Sequence, residues 1–360
     1  MSQSRSLPIE HYYVGVVCAL PREMTAVRAM LDEKHEPLRT KDAHDNNNYV
    51  LGRMGQHNVV VACLPAGVYG TNAAATVARD MLRTFTGLRF GLLVGIGGGI
   101  PNLLAGRDIR LGDIVVSQPD NTFGGVVQYD LGKNMGEGRF KGKGSLNSPP
   151  TLLLTALSSL QSASGIEESQ VPKHLMEMNK KYPELEGQGY VSPGAGIDHL
   201  HCSHCDSSQW WWVFSPRCGM CENGRVRRLS RSHENPMVHY GTIASGNEVI
   251  KDAKVRDQLG RELNAVCVEM EAAGLMNNFP CIVVRGICDY ADSHKNDAWQ
   301  NYAAAAAAAY TKWFLGHVTP GQTANERRIQ DVVGKWYYLE NGSVLRDRTT
   351  ASDFLFGRFS

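Results

Sequence analysis

Between Tyr12 and Ser117 the chain alternates short runs of branched apolar residues with stretches of helical spacing, and this alternation constrains its fold most. Tyr12 to Ala19 (YYVGVVCA), Asn58 to Leu64 (NVVVACL), Phe90 to Val94 (FGLLV) and Asp113 to Ser117 (DIVVS) read as strands. Pro21 to Asp32 opens with proline in a first-turn position and repeats apolar residues at Met24, Val27 and Leu31. Thr71 to Phe85 reads as a second helix, and Ala73, Ala74 and Ala75 let it lie close to a sheet. Strands that are apolar throughout need cover on both faces, so the pattern predicts an α/β fold.

The same texture returns later. His239 onward (HYGTIASGNEVI), Ala265 to Met270 (AVCVEM) and Cys281 to Cys288 (CIVVRGIC) are strand-like, with a short helix between the last two. Trp299 to Gly316 contains seven consecutive alanines, Ala303 to Ala309, and reads as a tightly packed helix. Thr319-Pro320-Gly321 breaks the chain, and Trp336 to Arg346 looks like a hairpin around Asn341-Gly342. Asn134 to Gly196 is different: it is rich in Gly, Lys, Ser and Pro, with one helical piece at Pro150 to Ser162. A polar connection of that length reads as an insertion, a lid or a partly disordered segment.

Charge and composition remove several function classes. Lys+Arg number 37 and Asp+Glu 36, a net charge of +1, so no global field draws the chain to nucleic acid or an acidic membrane. No apolar run approaches the ~20 residues that span a bilayer. Met1 to Glu10 lacks the apolar core of a signal peptide, and a cytoplasmic protein is expected.

Of nine cysteines, Cys18, Cys63, Cys267, Cys281 and Cys288 sit in apolar runs and read as buried thiols. Cys202, Cys205, Cys218 and Cys221 form two CxxC pairs with the spacing of a structural zinc ribbon over residues 199–224; free thiols and disulfides are the alternatives. His201 and His204 stand close enough to compete as ligands. Trp210 to Trp212 and Arg225, Arg227, Arg228 and Arg231 add a nucleic-acid-binding alternative, which the overall charge does little to support.

Two features could carry chemistry. Gly95 to Gly99 follows a strand, but Pro101 and a polar loop come next instead of the helix that a dinucleotide site requires. What remains is bare backbone at a strand end, against which a flat ligand can lie, or a tight turn. Glu23, Glu269, Glu271 and Asp289 fall at or beside strand ends, where ligands gather in open α/β sheets. Each acid taken singly is an ordinary helix-start residue; together they could act as base, acid and hydroxyl binder.

VGVVCALPREMTAV (Val14 to Val27), LLVGIGGGI, LGDIVVS (Leu111 to Ser117), TIASGNEVI (Thr242 to Ile250), VEMEAAG (Val268 to Gly274) and VVRGICDYAD (Val283 to Asp292) occur in one order. In that order they resemble the nucleoside phosphorylase/nucleosidase superfamily, and YGTIASGN with RGICDYADSHKN is similar to its fungal members. The resemblance implies a three-layer fold with a mixed central sheet flanked by helices. It implies a catalytic domain over 11–316, with a family-variable insertion at about 134–237 and a C-terminal extension at 317–360. It also implies a homo-oligomer, a small-molecule purine ligand and no catalytic cofactor, the only metal in view being the structural zinc.

Residue by residue, the resemblance gives Asp289 the role of protonating purine N7, helped by a pKa raised through burial. Glu271 would hold the ribose hydroxyls above Met270, with Glu269 beside them, and Arg285 would stand near the attacking water. Gly97, Gly98, Val249 and Ile250 would meet the base, Val249 standing where the family often has an aromatic. Superfamily phosphorylases carry a GDPxR-like loop for phosphate; here Ala19-Leu20-Pro21-Arg22-Glu23 replaces it. Glu23 matches a water-activating base, because a carboxylate repels phosphate but accepts a proton from water. Arg22 is left as a cation that could still hold phosphate. The expected activity is hydrolysis of adenosine or its 5′-phosphates, with Arg139, Lys141, Lys143 and the Arg225–Arg231 cluster as candidate phosphate grips. Phosphorolysis and a non-catalytic nucleotide-sensing module of an immune-receptor-like protein are the alternatives.

Overall fold

A computed structural model of the chain describes residues 5–120, 122–134, 140–203, 221–222, 224–333, 337–338 and 344–345. Its centre is a ten-stranded mixed sheet. The strands are β1 (Val14–Cys18), β2 (Glu33–Lys34), β3 (Tyr49–Met54), β4 (His57–Cys63), β5 (Phe90–Gly99), β6 (Ile114–Ser117), β7 (Val126–Gln128), β8 (Val238–Ser245), β9 (Ala265–Glu269) and β10 (Cys281–Asp289). They lie in the order β9-β8-β6-β10-β5-β1-β4-β3-β2, with β7 beside β8.

The parallel centre forms because β1, β9 and β10 are buried along their whole length and present no polar face. β1 pairs in parallel with both β4 and β5, and β5 in parallel with β10. β6 runs antiparallel to β10, which makes the sheet mixed.

β5 sets the geometry of the site. It has ten residues against five in β1, and its glycine-rich half continues as strand past the end of β1. Gly95 to Gly99 is thus neither a tight turn nor a phosphate loop. Without side chains this half curls over to pair antiparallel with β9 while still following β10. Gly98 is the register partner of both Val268 and Asp289, so the ends of three strands meet there.

Helices α1 (Pro21–Ala29), α2 (Thr71–Thr84), α3 (Thr151–Ser164), α4 (Val171–Lys181), α5 (Ala253–Glu262) and α6 (Gln300–Leu315) cover the sheet. The alanines of α6 are all buried, and a Cβ on Gly286 of β10 would stand 1.9 Å from the Ala303 carbonyl oxygen. Small residues on both surfaces let helix and strand approach that closely.

Residues 151–190 are not a loose lid. Leu157, Leu160, Val171, Leu175, Met178 and Tyr190 are buried in one core with α6. The spacing of Val171, Leu175 and Met178 is helical, but it stands in a polar segment where it is easily overlooked. Pro320 opens a short helix, α7 (Pro320–Asn325), instead of only breaking the chain. Tyr337–Tyr338 pairs antiparallel with Val344–Leu345, as a hairpin requires. Among the described residues no helix is long and apolar enough to cross a membrane.

Candidate active site

Glu23 is the third residue of α1, and its carboxylate turns back to the loop that ends β1. Oε2 accepts the Ala19 and Leu20 amides at 2.7 and 2.9 Å, and Oε1 accepts the Ile96 amide on β5 at 2.8 Å. The side chain is buried, and burial raises its pKa against the opposing pull of Arg285 and the three amides.

Arg285 projects from the middle of β10 and is fully buried. One of its terminal nitrogens, Nη2, binds Glu269 and lies 3.0 Å from Glu271; the other, Nη1, is 3.9 Å from Glu23 Oε1. The space for these groups exists because residue 95 is glycine. A Cβ there would lie 2.4 Å from both Arg285 Nη1 and Glu23 Oε1.

Glu269 ends β9, and its oxygens accept the Glu271 and Ala272 amides as well as the guanidinium. That set of partners makes it the anchor of the following turn and of Arg285. Glu271 has fewer ties: Arg285, and the Gly70 amide at 3.4 Å at the start of α2, where the helix dipole favours an anion. Burial pushes the Glu271 carboxyl up to about 7, with Arg285 opposing and Glu269 and Glu23 reinforcing the shift.

Asp289 closes β10. Its Oδ1 accepts the Ala291 amide at 2.8 Å, while Oδ2 meets the Cys288 thiol at 3.1 Å and Lys295 Nζ at 3.0 Å. Beyond the burial that the sequence leads one to expect around this acid, the structure puts an ammonium beside it. The sequence reading overlooked Lys295, although it lies in the RGICDYADSHKN stretch six residues past Asp289.

These side chains meet around one cavity of about 340 Å³, a size that suits a small ligand. Glu23, Gly97, Gly98, Val249, Ile250, Glu269, Met270, Glu271, Asp289 and Lys295 line it, and Arg285 lies behind the acids. Leu20, Tyr69 and Ile96 add apolar wall. Val249 is exposed at the rim and, being aliphatic, gives a base no aromatic stacking surface.

Arg22 does not line this cavity. It precedes Glu23 on α1, about 100° round the helix, and its carbonyl accepts the Tyr190 hydroxyl at 3.0 Å. The arginine cluster stands elsewhere too. Arg228 pairs with Asp198 at 2.8 Å and Arg231 with Asp113 at 2.6 Å, around a separate cavity of about 450 Å³. Buried acids have claimed these two cations, which removes them as a phosphate grip. Arg139 and the Lys141 side chain lie outside the described residues, and Lys143 is exposed.

Cys205 and Cys218 also lie outside the described residues. The Cys202 amide binds the Gly224 carbonyl, and Cys221–Glu222 pairs with Arg225–Val226 as a two-stranded ribbon. His201, Asp292 and His294 come together nearby, but the two imidazoles stack with centroids 3.5 Å apart and planes 10° from parallel. The in-plane lone pairs of parallel rings do not converge on one ion, so this trio is not set as a tetrahedral metal centre.

Residues 219–315, which carry Glu269, Glu271, Arg285 and Asp289, match the family model described as Phosphorylase superfamily. Over that segment the chain is related to this superfamily. A nucleotide-binding leucine-rich repeat (NLR)-like protein of Hyaloscypha variabilis is 48% identical over 330 residues, 90% of this chain. The chain spans 31% of that protein's length. A 5′-methylthioadenosine/S-adenosylhomocysteine nucleosidase of Mycobacterium bovis is 23% identical over 84% of this chain and 95% of its own. The ATP nucleosidase Cap17 of Escherichia coli is 38% identical over 87 residues, 22% of this chain and 17% of that protein. The fold is shared with the Neisseria meningitidis 5′-methylthioadenosine/S-adenosylhomocysteine nucleosidase solved with methylthio-immucillin-A. That likeness has a TM-score of 0.53 at 15% identity, over 84% of this chain and 98% of the other.

Proposed function

We propose that this chain is a nucleosidase that hydrolyses the N-glycosidic bond of adenosine or its 5′-phosphates, releasing adenine. The observation that carries this reading is the shared cavity. Glu23 and Glu271 are linked through Arg285 on one side of it, and Asp289 stands with Lys295 on another.

A ribose fits over Met270 with its hydroxyls toward Glu271. The adenine lies against Gly97, Gly98 and Ile250 with N7 toward Asp289. Glu23 orients water and takes its proton as the water attacks C1′. Asp289 delivers a proton to N7 as the bond to N9 breaks. Positive charge growing on the sugar is stabilised by the acids around Arg285.

Water is favoured over phosphate as the nucleophile for two reasons. Glu23 faces the attack position, and Arg22, the cation that could have held phosphate, lies off the cavity. Relatives named as nucleosidases support the same chemistry.

The described lining residues include two cations, Lys251 and Lys295, against Glu23, Glu248, Glu269, Glu271 and Asp289. Adenosine suits that balance directly. A 5′-phosphate chain draws its countercharge from the lysines and from groups beyond this wall, and the resemblance to an ATP nucleosidase keeps ATP in the substrate class. Self-association belongs to the same proposal: Val68, Tyr69 and Val249 are apolar and exposed at or beside the cavity rim, where a second subunit would cover them.

The test is adenine release from adenosine, AMP, ATP and methylthioadenosine, with and without inorganic phosphate. Free ribose or ribose 5-phosphates in both conditions is the expected result. Ribose 1-phosphate formed only with phosphate would make the chain a phosphorylase. Tight adenosine binding without release would make it a sensing module.

A further inference from the structure

We propose that Lys295 is the source of the proton that leaves with the purine, passed through Asp289. This rests on the nucleosidase reading and names the acid that it needs. An aspartate can protonate N7 only if it first holds a proton, and Asp289 is a buried carboxyl in direct contact with an ammonium. Among the described residues three groups with hydrogen reach its oxygens: the Ala291 amide, the Cys288 thiol and Lys295. An amide is not an acid at these pH values. Losing a proton would turn the Cys288 thiol into a buried anion beside Asp289, which burial and that charge both oppose, whereas it would turn the ammonium into a neutral amine, which burial favours. The ammonium remains.

Lys295 is also placed to be recharged. It lines the substrate cavity on one side and a second cavity of about 200 Å³ on the other, and both cavities share Asp289 and Cys288. The second is walled by His199, His201, Arg225, Asp292, His294 and Asn296, polar groups able to hold water. His294 is exposed, which opens this side to solvent. Burial opposes the lysine charge, but Asp289, Cys288 and Asp297 outweigh it, so the resting residue is protonated.

The transfer balances. As the C1′–N9 bond breaks, its electron pair enters the purine ring. Asp289 takes a proton from Lys295 Nζ and hands it on to N7, so the carboxylate ends as it began and the lysine is left neutral. Water gives its oxygen to C1′ and a proton to Glu23. Afterwards Lys295 regains a proton from solvent and Glu23 returns one.

Two variants of the full chain separate proton donation from charge. Lys295→Gln removes both; Lys295→Arg keeps the charge, but a guanidinium does not release its proton. With the purine substrate that the native chain turns over fastest, both should lose about 100-fold or more in kcat, the usual worth of a general acid, with KM nearly unchanged. A purine nucleoside methylated at N7 carries a fixed positive charge and needs no proton, so its hydrolysis should fall far less in the same variants. Native-like kcat in the arginine variant, or equal losses on both substrates, would overturn the assignment. If the native chain accepts no methylated substrate, the arginine variant decides alone. No base release by the native chain from any nucleoside would instead sink the nucleosidase reading.

Discussion

Arg285 binds Glu271 at 3.0 Å through the same nitrogen that binds Glu269, and its other terminal nitrogen stands 3.9 Å from Glu23. One cation thus faces three acids, away from bulk water. When all three are ionised, an excess negative charge lies beneath the place where a sugar would become cationic. A preorganised field of that sign stabilises the transition state more than the neutral substrate. Burial makes Glu23 and Glu271 hold protons above their ordinary range, which ties activity and stability to pH.

Glu23→Gln should abolish most adenine release, by about 100-fold or more, because the amide cannot take a proton from water. It should also lower stability. Both Glu23 oxygens accept backbone amides, so either orientation of a glutamine NH₂ opposes a donor. A buried unsatisfied group of this kind costs about 1–3 kcal/mol. Thermal unfolding of the variant beside the native chain checks the second effect, and initial rates check the first. A native rate of release would remove Glu23 from the mechanism.

Glu271 gives a pH dependence of definite sign. Burial raises its pKa to about 7 in the folded chain, from 4.5 as the ordinary value. The folded state therefore binds this proton more tightly than the unfolded state does. The stability it contributes is fully present below the unfolded pKa and is lost as pH rises through about 7. Binding of ribose hydroxyls needs the ionised form, so kcat/KM should rise across the same interval. Urea unfolding at pH 5 and 8, native chain against Glu271→Gln, should show the native chain losing more stability on the rise in pH. An equal change in both would assign the effect to other groups.

Much of this site was legible because its residues sit at the ends of apolar strands. β1, β9 and β10 announce themselves by continuous apolar runs, and an acid directly after such a run has few places to be. Arg285 was legible as a charged residue inside the run VVRGIC, but its three partners were not, since they depend on where three strands converge. The curl of Gly95 to Gly99 was hidden for a related reason: glycine carries no periodicity, and pairing with β9 is a long-range choice. Lys295 and the salt-bridged arginines show the same limit. Whether a loop cation faces a ligand or a buried aspartate is settled by tertiary contacts that local sequence does not encode.

Gly95→Ala tests the crowding directly. The new methyl would meet Arg285 Nη1 and Glu23 Oε1 at 2.4 Å, and both side chains are held by several partners. Neither can swing aside, so the change should destabilise the chain by about 1–3 kcal/mol, as overpacking does. Displacing Glu23 should also cut turnover in the fraction that remains folded. Full activity with native thermal stability would mean that the cluster yields more easily than its contacts imply.

Arg231→Ala tests whether the second cluster serves the substrate or the fold. Burial raises the Asp113 pKa, but Arg231 and His239 overcome that and leave it lowered. Removing the arginine takes away the strongest cation beside a buried carboxylate and leaves it His239 and the Arg110 and Met237 amides, at a cost of about 3–5 kcal/mol. The loss should be worst at neutral pH and should ease as pH falls toward the ordinary carboxylate value, where Asp113 can take a proton. The ratio of kcat/KM for ATP to that for adenosine should stay native, because Arg231 faces a cavity that excludes Glu23, Glu271 and Asp289. Substrate kinetics on the folded variant decide the matter: a selective loss of ATP turnover would place phosphate at this cluster after all.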